Sequence, residues 1–303
     1  MTAGAAGAPQ FFRSGFVAVV GRPNVGKSTL VNALVGRKVA IVSPAPQTTR
    51  NRIAGVVNLP GCQLVLIDLP GFQKPRDLMT ERMQSAVNNT LREVDLVLLV
   101  LSAAEAIGAG DRFIAMQAQA VKTPVIVAFN KIDLVPKKSL LPLMQSAPSL
   151  GELAEIIPVS AARGEGLEDL LGEMAVRMPE GPEYFPPDVV TDQTEEILVG
   201  ELIREQAVRL TREEVPHSLA VRVLTLKPRK NRDLIDITAE VIIERESQKG
   251  IVIGRGGKMI KEIGAQARVE IEALLGSTVF LDLRVRVMKK WRDDERALGE
   301  LGL

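Results

Sequence analysis

Gly21 and Gly26 are separated by four residues and followed by Lys27 and Ser28. The stretch Gly21-Arg22-Pro23-Asn24-Val25-Gly26-Lys27-Ser28-Thr29 follows the apolar run 16–20 and precedes a helix-like run, which is the context of a phosphate-cradling loop. In such a loop backbone N–H groups wrap the phosphates and the following helix adds its positive dipole end. Lys27 is expected to reach the terminal phosphates, and the Ser28 hydroxyl to sit on Mg²⁺.

The loop does not by itself separate ATP from GTP. Asn130-Lys131-Ile132-Asp133 closes another apolar run, 124–130. A carboxylate at Asp133 can accept from both N1–H and the exocyclic amine of guanine, whereas adenine would leave it unpaired. Asn130 can bridge the base N7 and the phosphate loop, and the stem of Lys131 can cover the ring. Ser160-Ala161-Ala162 follows the run 155–159, where a backbone N–H can meet guanine O6. The bound nucleotide is therefore GTP or GDP.

Asp68-Leu69-Pro70-Gly71 ends a further run, 63–68. Asp68 suits a water-mediated hold on Mg²⁺, and the Gly71 N–H can bond the γ-phosphate. Before it, Gln47-Thr48-Thr49-Arg50 lies in a proline-containing loop; Thr49, or alternatively Thr48, can ligate Mg²⁺ only while γ-phosphate is present. These loops are the expected switches. Lys27, Thr49, Asp68 and Gly71 are the candidate catalytic set. Phe72 stands where Ras-like GTPases carry a water-orienting Gln, so slow turnover is expected. Asn24 offers a carbonyl oxygen to a K⁺ that would do the work of an arginine finger.

A second constellation lies near the end of the chain. Ile253 leads into Gly254-Arg255-Gly256-Gly257, a G-x-x-G turn between two helical patterns, with Lys249, Lys258, Lys261 and Arg268 around it. Glycines let a nucleic-acid backbone approach, and a KH domain uses such a turn to clamp about four single-stranded nucleotides. From 249 to 268 these five bases face only Glu262. Lys227, Arg229, Lys230 and Arg232 form another basic group that a charged hairpin would explain. His217, the sole histidine, and Trp291, the sole tryptophan, read as structural.

The elements that must position these residues alternate. Runs 16–20, 63–68, 95–101, 124–130 and 155–159, separated by helical patterns, predict a doubly wound, mostly parallel α/β sheet with its ligand at the strands' carboxyl ends. Residues 178–188 are dense in proline, which favours an extended linker. Beyond it the order is α-β-β-α-α-β, an α+β module. The expected division is a tail over 1–13, a nucleotide domain over 14–178, a linker over 179–193 and a KH module over 194–303.

In 303 residues the chain has room for two cores. Aromatics make up 3%, so those cores are aliphatic, and a net charge of +1 makes any nucleic-acid footprint local. The single Cys62 excludes an internal disulfide framework. The first residues lack a secretory pattern and no apolar run is long enough to span a bilayer, so a cytoplasmic location is expected.

The combination of GRPNVGKS, QTTR, DLPG, NKID and SAA with a C-terminal VIGRGGKMIKEIG resembles the Era family of bacterial GTPases, over about residues 14–302. That family usually has Thr where this chain has Leu69. The resemblance implies a P-loop GTPase domain joined to a type II KH domain. It implies a monomeric, GTP-dependent assembly factor of the small (30S-type) ribosomal subunit that binds single-stranded RNA near the 3′ end of small-subunit rRNA. It also implies peripheral contact with the inner membrane. Two other readings compete: a constitutive RNA-binding protein with a non-switching GTPase domain, and a GTPase acting on a membrane or protein partner.

Overall fold

The computed structural model describes residues 12–43, 49–211, 215–230 and 232–303. Gln47 and Thr48 lie outside the described residues, as do residues 1–11 of the tail expected over 1–13. The chain divides into two compact units. The first takes residues up to 39, 53–68 and 88–192; the second takes 40–52, 69–87 and 193–303. Segments around the two expected switches thus cluster with the C-terminal module, a division that no local property of those segments announces.

The first unit contains β1 (Arg13–Val20), α1 (Lys27–Val35), β2 (Ile53–Leu59) and β3 (Cys62–Asp68). The helix α2 (Leu78–Leu91) follows, and only its last residues, from 88 on, belong to this unit. Then come β4 (Leu96–Ser102), α3 (Ala109–Gln119), β5 (Val125–Asn130), α4 (Leu140–Ser146), β6 (Glu155–Pro158) and α5 (Leu167–Ala175). The strands form one sheet in the order β2-β3-β1-β4-β5-β6. Strands β3, β4 and β5 are buried at every position, which is why they read as unbroken apolar runs.

Two expectations need correction. The edge strand β2 was not foreseen; it pairs antiparallel with β3, so the sheet is mixed at that edge. Its signal was the turn Pro60-Gly61 between two apolar runs. The first strand begins at Arg13 rather than 16, because its N–H donates to Gly61 O at 3.0 Å and its guanidinium to Met178 O at 2.8 Å.

The proline-dense segment is held as a strap along this unit. The Ser14 hydroxyl donates to Pro182 O at 2.6 Å, and the Tyr184 and Phe185 N–H groups donate to Gln63 Oε1 at 2.8 and 3.0 Å. Farther on, the Val56 N–H donates to Val190 O at 2.9 Å. Buried Gln63 also donates from Nε2 to Phe185 O at 2.8 Å, so one side-chain amide serves the strap as both acceptor and donor.

The second unit runs α6 (Glu195–Leu210), α7 (Val215–Ser218), β7 (Ala220–Pro228), β8 (Leu234–Ile243), α8 (Glu246–Ile253), α9 (Lys258–Leu275), β9 (Thr278–Val287) and α10 (Glu295–Glu300). Strand order is β7-β8-β9, antiparallel and then parallel. Ile263, Ala267 and Ile271, four residues apart, form the buried stripe of α9 and meet Ile237, Ala239 and Val241 of β8.

A smaller core surrounds Trp291, with Met79 and Met83 of α2 and Leu298 of α10. Trp291 is completely buried, and its indole N–H donates to Ser218 O at 3.0 Å. The Arg50 guanidinium lies 5.6 Å from the ring centroid and donates to Leu219 O at 2.7 Å and His217 O at 3.1 Å. Burial, and then the charge of Arg204, push Arg50 down to about 9, which leaves it cationic at neutral pH. Carbonyl oxygens and an aromatic face stand in for the water it has lost.

Trp291→Phe keeps the aromatic face but removes the buried indole hydrogen bond to Ser218 O. We expect a loss of about 1–3 kcal/mol in urea unfolding followed by far-UV circular dichroism. An unchanged midpoint would contradict this account.

Candidate functional site

Parallel strands bring their carboxyl ends to one edge of the first unit, and the sequence motifs gather there. Gly26 caps α1 with φ +97, and a Cβ on it would fall 2.4 Å from Asn130 Nδ2. Glycine is required twice over at this position, by the backbone conformation and by the approach of Asn130. Lys27 is 8% exposed and donates to Gly21 O at 3.1 Å and Arg22 O at 3.2 Å. Burial lowers its pKa, and the charge of Asp68 opposes that shift. Ser28 and Thr29 continue into the first turn of α1.

The Ser28 hydroxyl donates to Asp68 Oδ2 at 2.7 Å, and Asp68 is fully buried. A hydroxyl and a buried carboxylate in contact are the oxygen donors a hard cation prefers, so these two residues fit Mg²⁺. Among the described residues no group of three or more His, Cys, Asp or Glu side chains could hold a metal. The protein donors here suit a cation that draws its remaining ligands from phosphate and water.

Asn130 is the hub. Its Nδ2 donates to Val25 O at 3.0 Å, while Oδ1 accepts from the Lys131 N–H at 2.8 Å and the Ala161 N–H at 3.0 Å. Three loops, from β1, β5 and β6, are thus fastened by one side-chain amide. Lys131, with φ +67, extends its ammonium to Asn24 O at 2.5 Å, which lays its stem along the loop. The Ser160 hydroxyl donates to Asp133 Oδ1 at 2.6 Å and holds that carboxyl below the usual carboxylate range. The sequence does not announce this hydroxyl contact, because Ser160 and Asp133 lie 27 residues apart and the Ser160-Ala161-Ala162 motif points only to a backbone N–H. Ala161 is buried with its N–H engaged by Asn130, and Ala162 is exposed.

Arg22 is turned away by acids that the sequence places far off. It donates to Asp111 Oδ1 at 2.7 Å and Glu105 Oε2 at 2.9 Å, and the Asp111 hydrogen bond raises its pKa despite partial burial. Pro23 and Asn24 are exposed at the loop tip, and Asn24 has φ +64. Thr49 and Gly71 fall in the second unit, where Thr49 is buried and Gly71 half-buried.

That unit also carries the G-x-x-G turn. Gly254 has φ +72, and a Cβ on it would meet Met259 at 2.7 Å. Gly256 and Gly257 follow with positive φ, setting the sharp bend between α8 and α9. Arg255, Lys258, Lys261 and Arg268 are exposed; Lys249 and Ile253 are half-buried. Beside α9 a groove of about 320 Å³ is bordered by Lys261, Gly264, Arg268, Phe280 and Leu283. Phe280 is 56% exposed. An apolar floor with a cationic rim is what a stacked, single-stranded polyanion needs. Arg229 is engaged by Asp236 and lies 5.7 Å from the Phe280 centroid.

Comparison with known proteins finds two families along the chain. A family model described as a 50S ribosome-binding GTPase matches residues 16–131, and one described as a KH domain matches 214–292. The chain is similar to GTPase Era of Mycobacterium avium, with 50% identity over 96% of this chain and 99% of that protein. It is as similar to GTPase Era of Mycolicibacterium smegmatis. An Aquifex aeolicus Era variant bound to GDP·AlF4⁻ superposes with a TM-score of 0.93 at 40% identity, over 96% of this chain and 99% of the other. Era in complex with MgGDPNP and nucleotides 1506–1542 of 16S ribosomal RNA gives 0.93 at 41% identity, with the same coverage.

Asn130→Ala removes the partners of Val25 O and two N–H groups at once. We expect a loss of about 2–4 kcal/mol in chemical unfolding. Asn130→Asp, which keeps the acceptor but loses the donor to Val25, should fall between; equal midpoints for all three proteins would refute the hub.

Proposed function

This chain belongs to the Era family of GTPases, and we propose that it is a GTP-dependent assembly factor of the small ribosomal subunit. Its KH module binds single-stranded RNA near the 3′ end of small-subunit rRNA; a similar Era is in complex with nucleotides 1506–1542 of 16S ribosomal RNA. The observation that carries this reading is the cationic, aromatic-floored groove beside the G-x-x-G turn, in the same chain as a guanine-nucleotide loop. We take residues 14–178 as the nucleotide domain, 179–193 as the linker and 194–303 as the RNA-binding domain.

In this reading Lys27 and the backbone of 21–29 hold the phosphates, and Asp133 pairs with the guanine edge. Ala162 N–H is the remaining candidate for O6. Ser28, Thr49 and Asp68 hold Mg²⁺, which when bound neutralises charge on the β- and γ-phosphates. Gly71 donates its N–H to the γ-phosphate. Thr49 and Gly71 are ordered by GTP and released on hydrolysis. The Phe72 side chain has no group to hydrogen-bond water, and Arg22 is committed to Asp111 and Glu105. We assign K⁺ at Asn24 the charge that an arginine finger would bring. The protein works in the cytoplasm as a monomer with peripheral contact to the inner membrane. Among the described residues no helix is long and apolar enough to cross a membrane.

RNA affinity should be at least several-fold higher with a non-hydrolysable GTP analogue than with GDP, by fluorescence anisotropy on a 3′-end rRNA oligomer. Equal affinities would instead support a constitutive RNA-binding protein. Arg255→Glu with Lys258→Glu should abolish binding; retention would favour a GTPase acting on another partner. GTP turnover should rise about tenfold or more on replacing Na⁺ by K⁺, and Asn24→Ala should remove that difference. Identical rates in the two salts would eliminate the K⁺ site.

A further inference from the structure

The second unit holds a cleft of about 910 Å³ that neither the nucleotide loop nor the G-x-x-G groove uses. One wall is the segment 73–80, which follows the D-x-P-G motif; the other includes His217, Arg245, Gln248 and Arg292. Its floor is rigid. Gln248 is 2% exposed, accepts from the Glu244 and Arg245 N–H groups at 3.0 and 3.1 Å, and donates to Ser218 Oγ at 2.9 Å.

The charges in the walls do not cancel. Arg292 answers two carboxylates, Glu244 at 2.8 Å and Asp77 at 3.1 Å. Asp293 accepts from the Leu78 N–H at 3.3 Å. Lys74, Arg76 and Arg245 line the same cleft, are exposed, and have no ion-pair partner within 4.0 Å among the described residues. His217 faces them half-buried, and its carbonyl is held by Arg50. Burial first, then the charges of Arg50, Arg292 and Arg76, keep the imidazole below its ordinary pKa. The lining thus carries four cationic side chains against three carboxylates, a net charge of +1, and three of the four cations lie on its exposed rim.

We propose that this cleft is a second phosphate-binding site, in which Lys74, Arg76 and Arg245 receive the phosphates of an RNA strand or of a small phosphorylated molecule. Two guanidinium forks and an ammonium suit phosphate oxygens, bidentate and point-like respectively. The volume is that of a nucleotide-sized ligand rather than a single ion. A ligand there would touch the segment that follows Gly71 and residues of the KH module together. For the strand source the proposal rests on the RNA reading above; for the small-molecule source it does not.

The chain's single histidine makes the test direct. With the protein saturated with Mg·GDP, so that the phosphate loop is filled, the His217 ring resonance is titrated against pH by NMR at constant ionic strength. The titration is repeated with inorganic pyrophosphate and with a short single-stranded oligoribonucleotide. An anion in the cleft favours the imidazolium, so the midpoint should rise by about half a unit or more. In the Lys74→Gln/Arg76→Gln/Arg245→Gln variant the rise should vanish while far-UV circular dichroism is unchanged, since all three side chains are exposed. A rise with pyrophosphate alone identifies a small phosphorylated molecule as the source; a rise with RNA identifies the strand. No rise with either probe, or the same rise in the variant, overturns the site. Failure of the RNA reading registers separately, as RNA affinity indifferent to nucleotide and to Arg255 and Lys258.

Discussion

The guanine-nucleotide site depends on how Asn130 spends its amide. A parallel sheet delivers the ends of β1, β5 and β6 to one edge but leaves the loops beyond them without a ladder to complete. Asn130 closes that gap with one donor and one acceptor, bonded to Val25 O, Lys131 N–H and Ala161 N–H. Each partner is backbone, so the loops are fixed in position whatever their side chains. The consequences spread outward. Gly26 must be glycine because Asn130 passes so close, and Lys131 can then lie along the loop to Asn24. Ser160, carried on the same β6 loop, orients Asp133. The loops that carry residues 21–28, 130–133 and 160–162 are thereby one mechanical object.

The second unit is organised around a different device, a buried cation in a nest of carbonyls. Arg50 would be expensive to bury alone, yet it is 5% exposed. The residues around α7 present their carbonyls, and Trp291 its face, so the charge is solvated by the fold itself. Because Arg50 follows Thr49 directly, the chain at Thr49 is anchored among residues of the KH module. Met79 and Met83, downstream of Gly71, enter the same core. Segments 40–52 and 69–87 are thus held by contacts inside the second unit.

The strap is fastened to the first unit by Gln63, Ser14 and Val56, so the proline-dense segment is held in place along its length. The cleft bounded by 73–80 belongs to the second unit, as does the buried cation.

The sequence by itself determined the chemistry. The spacing of Gly21, Gly26, Lys27 and Ser28, the pair Asn130 and Asp133, and the G-x-x-G turn each encode a local backbone shape with its functional atoms attached, which needs no distant partner to be read. The buried strands were legible for the same reason, since burial on both faces writes continuous apolar runs. β2 was overlooked because an edge strand carries a weaker run, and its pairing partner was needed to declare it. What only the tertiary structure decided are contacts between residues far apart in the chain: Ser160 on Asp133, Asp111 on Arg22, Arg50 against Trp291, and the cleft from Lys74 to Arg245. Segments 40–52 and 69–87 joined the second unit for the same reason. Their local composition is that of ordinary loop and helix, and their allegiance was set by where a buried arginine and two methionines found partners.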